Sequence, residues 1–143
     1  MNNNRGYTLL EVLLVLSMVA IMTMCVIFIS NSYLEKKAFL LFMNQFKLDV
    51  YHMQNYSIEK NTQTELVFGN KGTTYTTRKS FFEPIIQRSL PKGIKLSTKS
   101  TLTSIAFNPN GSIVNFGTLT FETPDDVKMV RIYIGKGKMT VEE

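Results

Sequence analysis

The sequence predicts an α+β fold: one long N-terminal helix, apolar in its first half and amphipathic in its second, packed on a small antiparallel β domain. The 143-residue chain carries 16 Lys and Arg and 11 Asp and Glu, a net charge of +5, yet residues 12–29 contain no charged side chain. Residues 33–58 contain no Pro or Gly, and short strand-like runs separated by turn residues begin near residue 65. These patterns exclude both a homogeneous soluble globule and a disordered chain.

The apolar segment from Val12 to Ile29 predicts a membrane-spanning helix. Its 18 residues would reach about 27 Å at the helical rise, close to the thickness of a bilayer core. No small-residue cleavage site follows it, so we expect it to stay in the mature protein. The flanking charges, with Arg5 before the segment and Glu35, Lys36 and Lys37 after it, slightly favour a cytoplasmic N-terminus.

Glu11 is the one acidic residue inside the apolar stretch that starts at Tyr7. An ionised carboxylate in a membrane costs several kcal/mol unless it is paired, so Glu11 is a candidate functional residue. The plain alternative is a simple signal anchor in which the carboxylate reaches the nearby interface. The more specific alternative is a cation supplied by a neighbouring subunit.

Beyond the membrane segment, apolar residues at three- and four-residue steps predict that the helix continues as an amphipathic one. This stripe, interpreted as core, consists of Phe39, Phe42, Met43, Phe46, Val50 and Met53. Lys47 and Asp49 are assigned to other faces, and His52 to the surface. We expect one helix from about Tyr7 to about Ser57, ended by the polar residues 61–64.

The rest of the chain predicts strands and turns. A hairpin is expected from strands 65–68 and 73–77 around the turn Gly69–Gly72, and further strands at 101–107, 112–116, 117–121, 127–134 and 138–141. Residues 81–93, which contain Pro84 and Pro91, are expected to form a loop.

Residues Arg5 to Glu11, followed by about twenty apolar residues, resemble the class III signal of type IV prepilins and pseudopilins. The resemblance implies a leader at residues 1–6, cleavage between Gly6 and Tyr7 by a prepilin peptidase, and N-methylation of Tyr7. It also implies that Glu11 pairs with the terminal amine of an adjacent subunit and sets the axial register of a filament. The domains would then be the leader 1–6, the transmembrane and assembly helix 7–30, its amphipathic continuation 31–60 and the β domain 61–143.

The C-terminal half, from Ile105 to Phe121 and from Val130 to Val141, resembles the closing strands of minor pseudopilins of the type II secretion H and FimT group. With these strands, a short leader and no cysteine pair, the chain is most similar to the minor pseudopilins of Gram-positive competence systems. This resemblance implies a structural subunit of a membrane-anchored pseudopilus used in DNA uptake. The alternatives are a type II secretion pseudopilin and a type IV pilus minor pilin with a DNA-binding globular face.

The resemblance also implies partners and a location. The partners would be other major and minor pseudopilins, the prepilin peptidase and a membrane assembly platform. The chain would be a single-pass protein of the cell membrane before assembly and would lie at the cell surface within the pseudopilus.

Charge is concentrated in residues 71–99, which hold seven Lys and Arg against Glu83 alone. Such a surface next to aromatic residues could neutralise nucleic-acid phosphates, and Arg78, Lys79, Arg88 and Lys92 are the candidate DNA contacts. We favour the simpler interpretation that these cations form a solvated surface facing anionic wall polymers or lipids.

An enzyme is the least favoured class. The chain has no HExxH, GxSxG or phosphate-cradling glycine motif. Its one cysteine, Cys25, lies in the apolar segment, and with a single histidine no Cys/His metal site is expected. We therefore expect no catalytic residue, no metal and no cofactor.

Overall fold

A computed structural model describes residues 8–80, 83–135 and 138–142 of the chain. Within these residues, one α-helix, α1, runs from Leu9 to Glu59 and is followed by eight strands. The chain divides into two units, Met1–Lys36 and Lys37–Glu143. In the first unit, Leu9–Val26 is helical, exposed and apolar, and it is long enough to cross a membrane.

In the second unit, the strands form two four-stranded antiparallel sheets. The strands are β1 Thr64–Gly69, β2 Thr74–Ser80, β3 Glu83–Ser89, β4 Lys95–Leu96, β5 Ser104–Phe107, β6 Gly117–Glu122, β7 Val127–Ile132 and β8 Met139–Glu142. Sheet A has the order β3-β2-β1-β5 and sheet B the order β4-β6-β7-β8. The α+β architecture predicted from the sequence is confirmed.

The second half of α1 shares one hydrophobic core with both sheets. The predicted stripe is confirmed, because Phe42, Met43, Phe46, Val50 and Met53 are buried and Phe39 packs against them. Rings from the helix and both sheets form an aromatic cluster in this core: Phe39, Phe42, Phe46, Phe68, Tyr75 and Phe121. Its shortest centroid distances are 5.4 Å, from Phe42 to Phe121 and from Phe46 to Tyr75. The cluster therefore joins the helix to sheet A through Tyr75 and to sheet B through Phe121.

The predicted hairpin is confirmed, with β1 and β2 paired from Glu65↔Arg78 to Gly69↔Thr74. Its turn contains a short 3₁₀ segment, Asn70–Gly72.

The loop expected at residues 81–93 and the strand expected at residues 112–116 are not found. Residues 83–89 form strand β3 instead of a loop, because Pro84 is tolerated on a strand at the edge of a sheet.

Residues 112–116 do not form the expected strand. The Ile113 N–H donates to the carbonyl of Gly135, whereas the Val114 N–H donates to the carbonyl of Ala106. Only a single bridge, Phe107↔Ile113, forms at this segment, so these hydrogen bonds do not extend into a ladder of paired residues. The strand expected at 101–107 is shortened to Ser104–Phe107, because the N–H groups of residues 101 and 102 both reach the carbonyl of Thr118 on β6.

Candidate assembly and interaction sites

The N-terminal end of α1 is capped by Thr8, a role that the sequence analysis did not assign. The backbone N–H of Glu11 donates to the Thr8 hydroxyl at 3.3 Å, and the N–H of Val12 donates to the Thr8 carbonyl at 3.2 Å. Thr8 and Glu11 have the S/T-x-x-E spacing of a capping box, which is the sequence signal that could have revealed the cap. The cap satisfies a first-turn donor that an apolar environment would otherwise leave unpaired.

Glu11 lies in the first turn of α1, and its side chain is exposed in the described chain. Its carboxylate therefore occupies the helix end at which the macrodipole favours negative charge. Gly6 and Tyr7, the predicted cleavage and methylation positions, lie outside the described residues. The side chains that follow Glu11 as far as Val26 are exposed, including Leu13 and Leu16. This helical surface has the composition that a bilayer or a bundle of similar helices accommodates.

The candidate DNA contacts do not form one shared surface. Arg78, on β2, lies opposite Glu65 and donates to its carboxylate from Nη2 at 2.8 Å. Arg88, on β3, lies opposite the buried Tyr75, and like Tyr75 it bonds Asp49 of α1. Because Glu65 is on the outer face of sheet A and Asp49 is on the helix side, the two arginines point to opposite faces.

Lys79 has an ion-pair partner among the described residues, whereas Lys92 has none. The Lys79 ammonium lies 3.1 Å from the Glu83 carboxylate, so its charge is also partly offset within the chain. Lys92 is exposed and makes no ion pair within the described residues. Three of the four cations thus have a carboxylate partner in this protein, which reduces the charge that they offer to a phosphate.

Asp49 is the most constrained polar residue of the core, although the sequence analysis assigned it to an outer face of the helix. Its side chain is 3% exposed. The carboxylate accepts from the Tyr75 hydroxyl at 2.5 Å, from Arg88 Nε at 2.6 Å and from Gln45 Nε2 at 2.8 Å. The assignment was wrong because Asp49 is three residues after Phe46 and four before Met53, which places it on the buried stripe.

These contacts set the ionisation of the group. Burial acts to raise the pKa of Asp49, but the hydrogen bonds from Arg88, Tyr75 and Gln45 outweigh it and lower the pKa below its usual value. Burial and the hydrogen bond to Asp49 raise the pKa of the Tyr75 hydroxyl, so it stays protonated and remains a donor. The network attaches β2 and β3 to the helix. Among residues 8–80, 83–135 and 138–142, no group of His, Cys, Asp and Glu is arranged to hold a metal ion.

Comparison with known proteins agrees with these features. Residues 1–24 match the family described as "Prokaryotic N-terminal methylation motif". The chain is 25% identical to the "Competence protein ComGD" of Bacillus subtilis (strain 168) over 142 residues, which cover 99% of this chain and 96% of that protein. The fold matches the crystal structure of the type IV minor pilin FimU of Pseudomonas aeruginosa with a TM-score of 0.59 and 11% identity, covering 80% of this chain and 92% of that one.

The N-terminal motif, the nearly full-length similarity and the shared fold confirm the family resemblance that the sequence carries. The chain therefore has an N-terminal methylation motif in residues 1–24 and the fold of a type IV minor pilin, and it is similar over nearly its full length to the competence protein ComGD.

Proposed function

We propose that this chain is a minor pseudopilin, a structural subunit of a membrane-anchored competence pseudopilus that is needed for DNA binding and uptake in transformation. The observation that carries the proposal is the similarity to a competence protein over 99% of the chain, together with the prepilin motif in residues 1–24. The exposed apolar helix Leu9–Val26 supports anchoring in a membrane before assembly.

Processing would convert this helix into an assembly element. Cleavage between Gly6 and Tyr7 releases a new amine, which stays cationic when it carries one methyl group. Glu11 then provides a carboxylate one turn into the apolar helix. In a medium of low dielectric constant, an unpaired ion of either sign is costly, so pairing Glu11 with the amine of the next subunit fixes one register among many.

The proposal includes partners, a location and a domain organisation. The chain would be cleaved and methylated by a prepilin peptidase and would assemble with major and minor pseudopilins on a membrane platform. It would span the cell membrane once, with a cytoplasmic N-terminus, and reach the surface in the filament. Residues 1–6 would be the leader, 7–30 the assembly helix, 31–60 its continuation and 61–143 the outer domain.

Processing can be tested by intact-mass analysis of the protein from cells with and without prepilin peptidase. We expect the mature protein to have lost Met1–Gly6 and gained one methyl group, and only in cells that have the enzyme. An identical full-length mass in both strains would contradict the assignment of the cleavage site.

The role of Glu11 can be tested with Glu11→Gln, which keeps the size of the side chain and removes its charge. We expect normal insertion and cleavage but impaired recovery in sheared filaments, because the neighbour's amine has lost its partner. Glu35→Gln makes the same change on the same helix outside the apolar stretch and serves as the control. Equal incorporation of both variants would show that the Glu11 carboxylate has no registering role.

The competence assignment can be tested by deleting the gene and restoring it on a plasmid. We expect transformation to be lost and restored, whereas secretion of exported enzymes and surface motility stay normal. Normal transformation with a secretion or motility defect would instead support the type II secretion or pilus alternatives.

A further inference from the structure

We propose that a cleft between the hairpin turn of sheet A and strand β4 of sheet B binds the phosphodiester backbone of nucleic acid without regard to sequence. The cleft has a volume of about 900 Å³, within the range of natural ligand clefts. One wall is the segment from Phe68 to Thr73, and the other is formed by residues 95–98 with Ser100 and Thr103. This inference rests on the proposed function, because that function supplies the polyanion.

The cleft carries a cationic excess. Lys71 and Lys95 line it, and Lys99 is close enough to Glu122, another lining residue, to stabilise its carboxylate electrostatically. Glu122 accepts from the Ser97 hydroxyl at 2.6 Å and from the Lys95 ammonium at 2.9 Å, and these bonds lower the pKa of Glu122. Lys71 and Lys95 against Glu122 give the lining a net charge of about +1, and Lys99 adds a further positive charge near it, so the cleft attracts phosphate.

Lys71 is held at the cleft by an uncommon backbone conformation. Its φ is +57° and that of the preceding Asn70 is +49°, in the left-handed region that favours glycine and asparagine. A lysine at this position costs backbone energy and gains no ion pair within the described residues. An exposed cation on strained backbone is the pattern expected of a residue kept for contact with a ligand.

The walls of the cleft are fixed relative to each other. A Cβ placed on Gly72, whose φ is +84°, would lie 2.6 Å from the carbonyl oxygen of Leu96 and 3.0 Å from its nitrogen. The turn and β4 are therefore in direct backbone contact at this point. This contact fixes the backbone of residues 71 and 95 on the two walls, and the hydroxyls of the lining residues Thr98 and Thr103 can donate to phosphate oxygens.

This site differs from the four cations singled out by the sequence. Arg78 and Arg88 lie on opposite faces of sheet A with their charges bonded to Glu65 and Asp49. Lys71 and Lys95 come from two segments that the fold brings to one cleft, and Lys99 follows the second of these segments. Only the structure shows that these segments are neighbours.

The test uses the full chain in neutral detergent micelles and a fluorescein-labelled oligothymidylate, with binding followed by anisotropy across a salt series. The variant is Lys71→Asn, since asparagine fits the left-handed backbone and removes only the charge. We expect binding about fivefold weaker, with a salt slope smaller by about one, because one phosphate contact is lost. Lys60→Asn, the same charge change at an exposed position at the end of α1, is the control and should bind within about twofold of the natural protein.

Equal binding by Lys71→Asn and the natural protein, or equal loss in both variants, would overturn the proposal. So would binding of poly(glycerol phosphate) without binding of the oligonucleotide, since the cleft would then recognise a wall polymer. The midpoint temperature of thermal unfolding of Lys71→Asn should be no lower than that of the natural protein. Weaker binding by this variant would then result from the lost charge and not from unfolding. Failure of the proposed function would appear elsewhere, in filament assembly and transformation, so the two outcomes are distinguishable.

Discussion

We expect the substitution Asp49→Asn to lower the free energy of unfolding, because it disrupts the hydrogen bonds that Asp49 makes with Arg88 and Gln45. The side chain keeps its shape, and its remaining oxygen can still accept from Tyr75. That oxygen takes the place of Oδ2, which also accepts from Arg88 Nε at 2.6 Å. The new amide group takes the place of Oδ1, which accepts from Gln45 Nε2 at 2.8 Å and from Arg88 Nη2 at 3.3 Å. Donors then meet donors at this second atom, and the Arg88 charge loses its carboxylate.

The size of the effect follows from burial. A hydrogen bond to a charged group contributes about 1.5–3 kcal/mol, and removing one partner of a fully buried ion pair costs about 3–5 kcal/mol. Asp49 is buried but the Arg88 side chain is 44% exposed, so water can solvate the abandoned guanidinium. We therefore expect the free energy of unfolding to fall by about 2–3 kcal/mol.

The measurement is urea unfolding of the full chain in detergent micelles. Near-UV circular dichroism of tyrosine is a suitable signal, since the chain has six tyrosines and no tryptophan. Glu65→Gln is the matched control, because it neutralises the partner of Arg78 at a carboxylate that is 35% exposed where that of Asp49 is 4% exposed, and it should cost less than about 1 kcal/mol.

The pH dependence provides a second measurement. The folded pKa of Asp49 is lowered, so its stabilisation is fully present above the unfolded value of about 3.9 and is lost as the pH falls through the folded pKa. The stability difference between the natural protein and Asp49→Asn should stay constant from about pH 5 to 7 and shrink below about pH 4. A loss no larger than that of Glu65→Gln, or a difference that widens in acid, would refute the reasoning.

Two further substitutions test the packing, both by the same urea unfolding. Phe46→Ala removes a fully buried ring from the aromatic cluster and should cost about 3–5 kcal/mol. Leu48→Ala, at a position 62% exposed, should stay within about 0.5 kcal/mol, and similar losses would contradict the assigned helix face. Gly72→Ala should destabilise more than Gly135→Ala, because both glycines have positive φ but only Gly72 would place its Cβ against Leu96. Equal losses of stability in Gly72→Ala and Gly135→Ala would mean that the contact with Leu96 adds no cost to the backbone strain that both variants share.

Local patterns predicted the helix and the hairpin well. The stripe from Phe39 to Met53 repeats every three or four residues, so the core face of α1 follows from spacing alone. The Gly69–Gly72 turn between two β-branched and aromatic runs likewise needs no distant contact. Both features arise from residues close in sequence, which is why the sequence was sufficient.

The errors occur where partners are distant in sequence. β3 has no buried residue and no clear alternation of buried and exposed residues, because this edge strand is held by its pairing with β2. Asp49 finds Tyr75 and Arg88 at separations of 26 and 39 residues, which no local pattern reports. The cleft lysines are similarly brought together by contact of Gly72 with Leu96.

The exposed edge of sheet A has a consequence for crowded copies of this protein. β3 is interrupted there by Pro84 and by register shifts against β2 near Arg78, and it carries Glu83 and Arg88. Proline, bulges and charges are the devices that prevent one sheet from extending into the sheet of a neighbour. This edge is therefore protected against pairing with another copy of the chain in a cross-β aggregate, even where copies are concentrated.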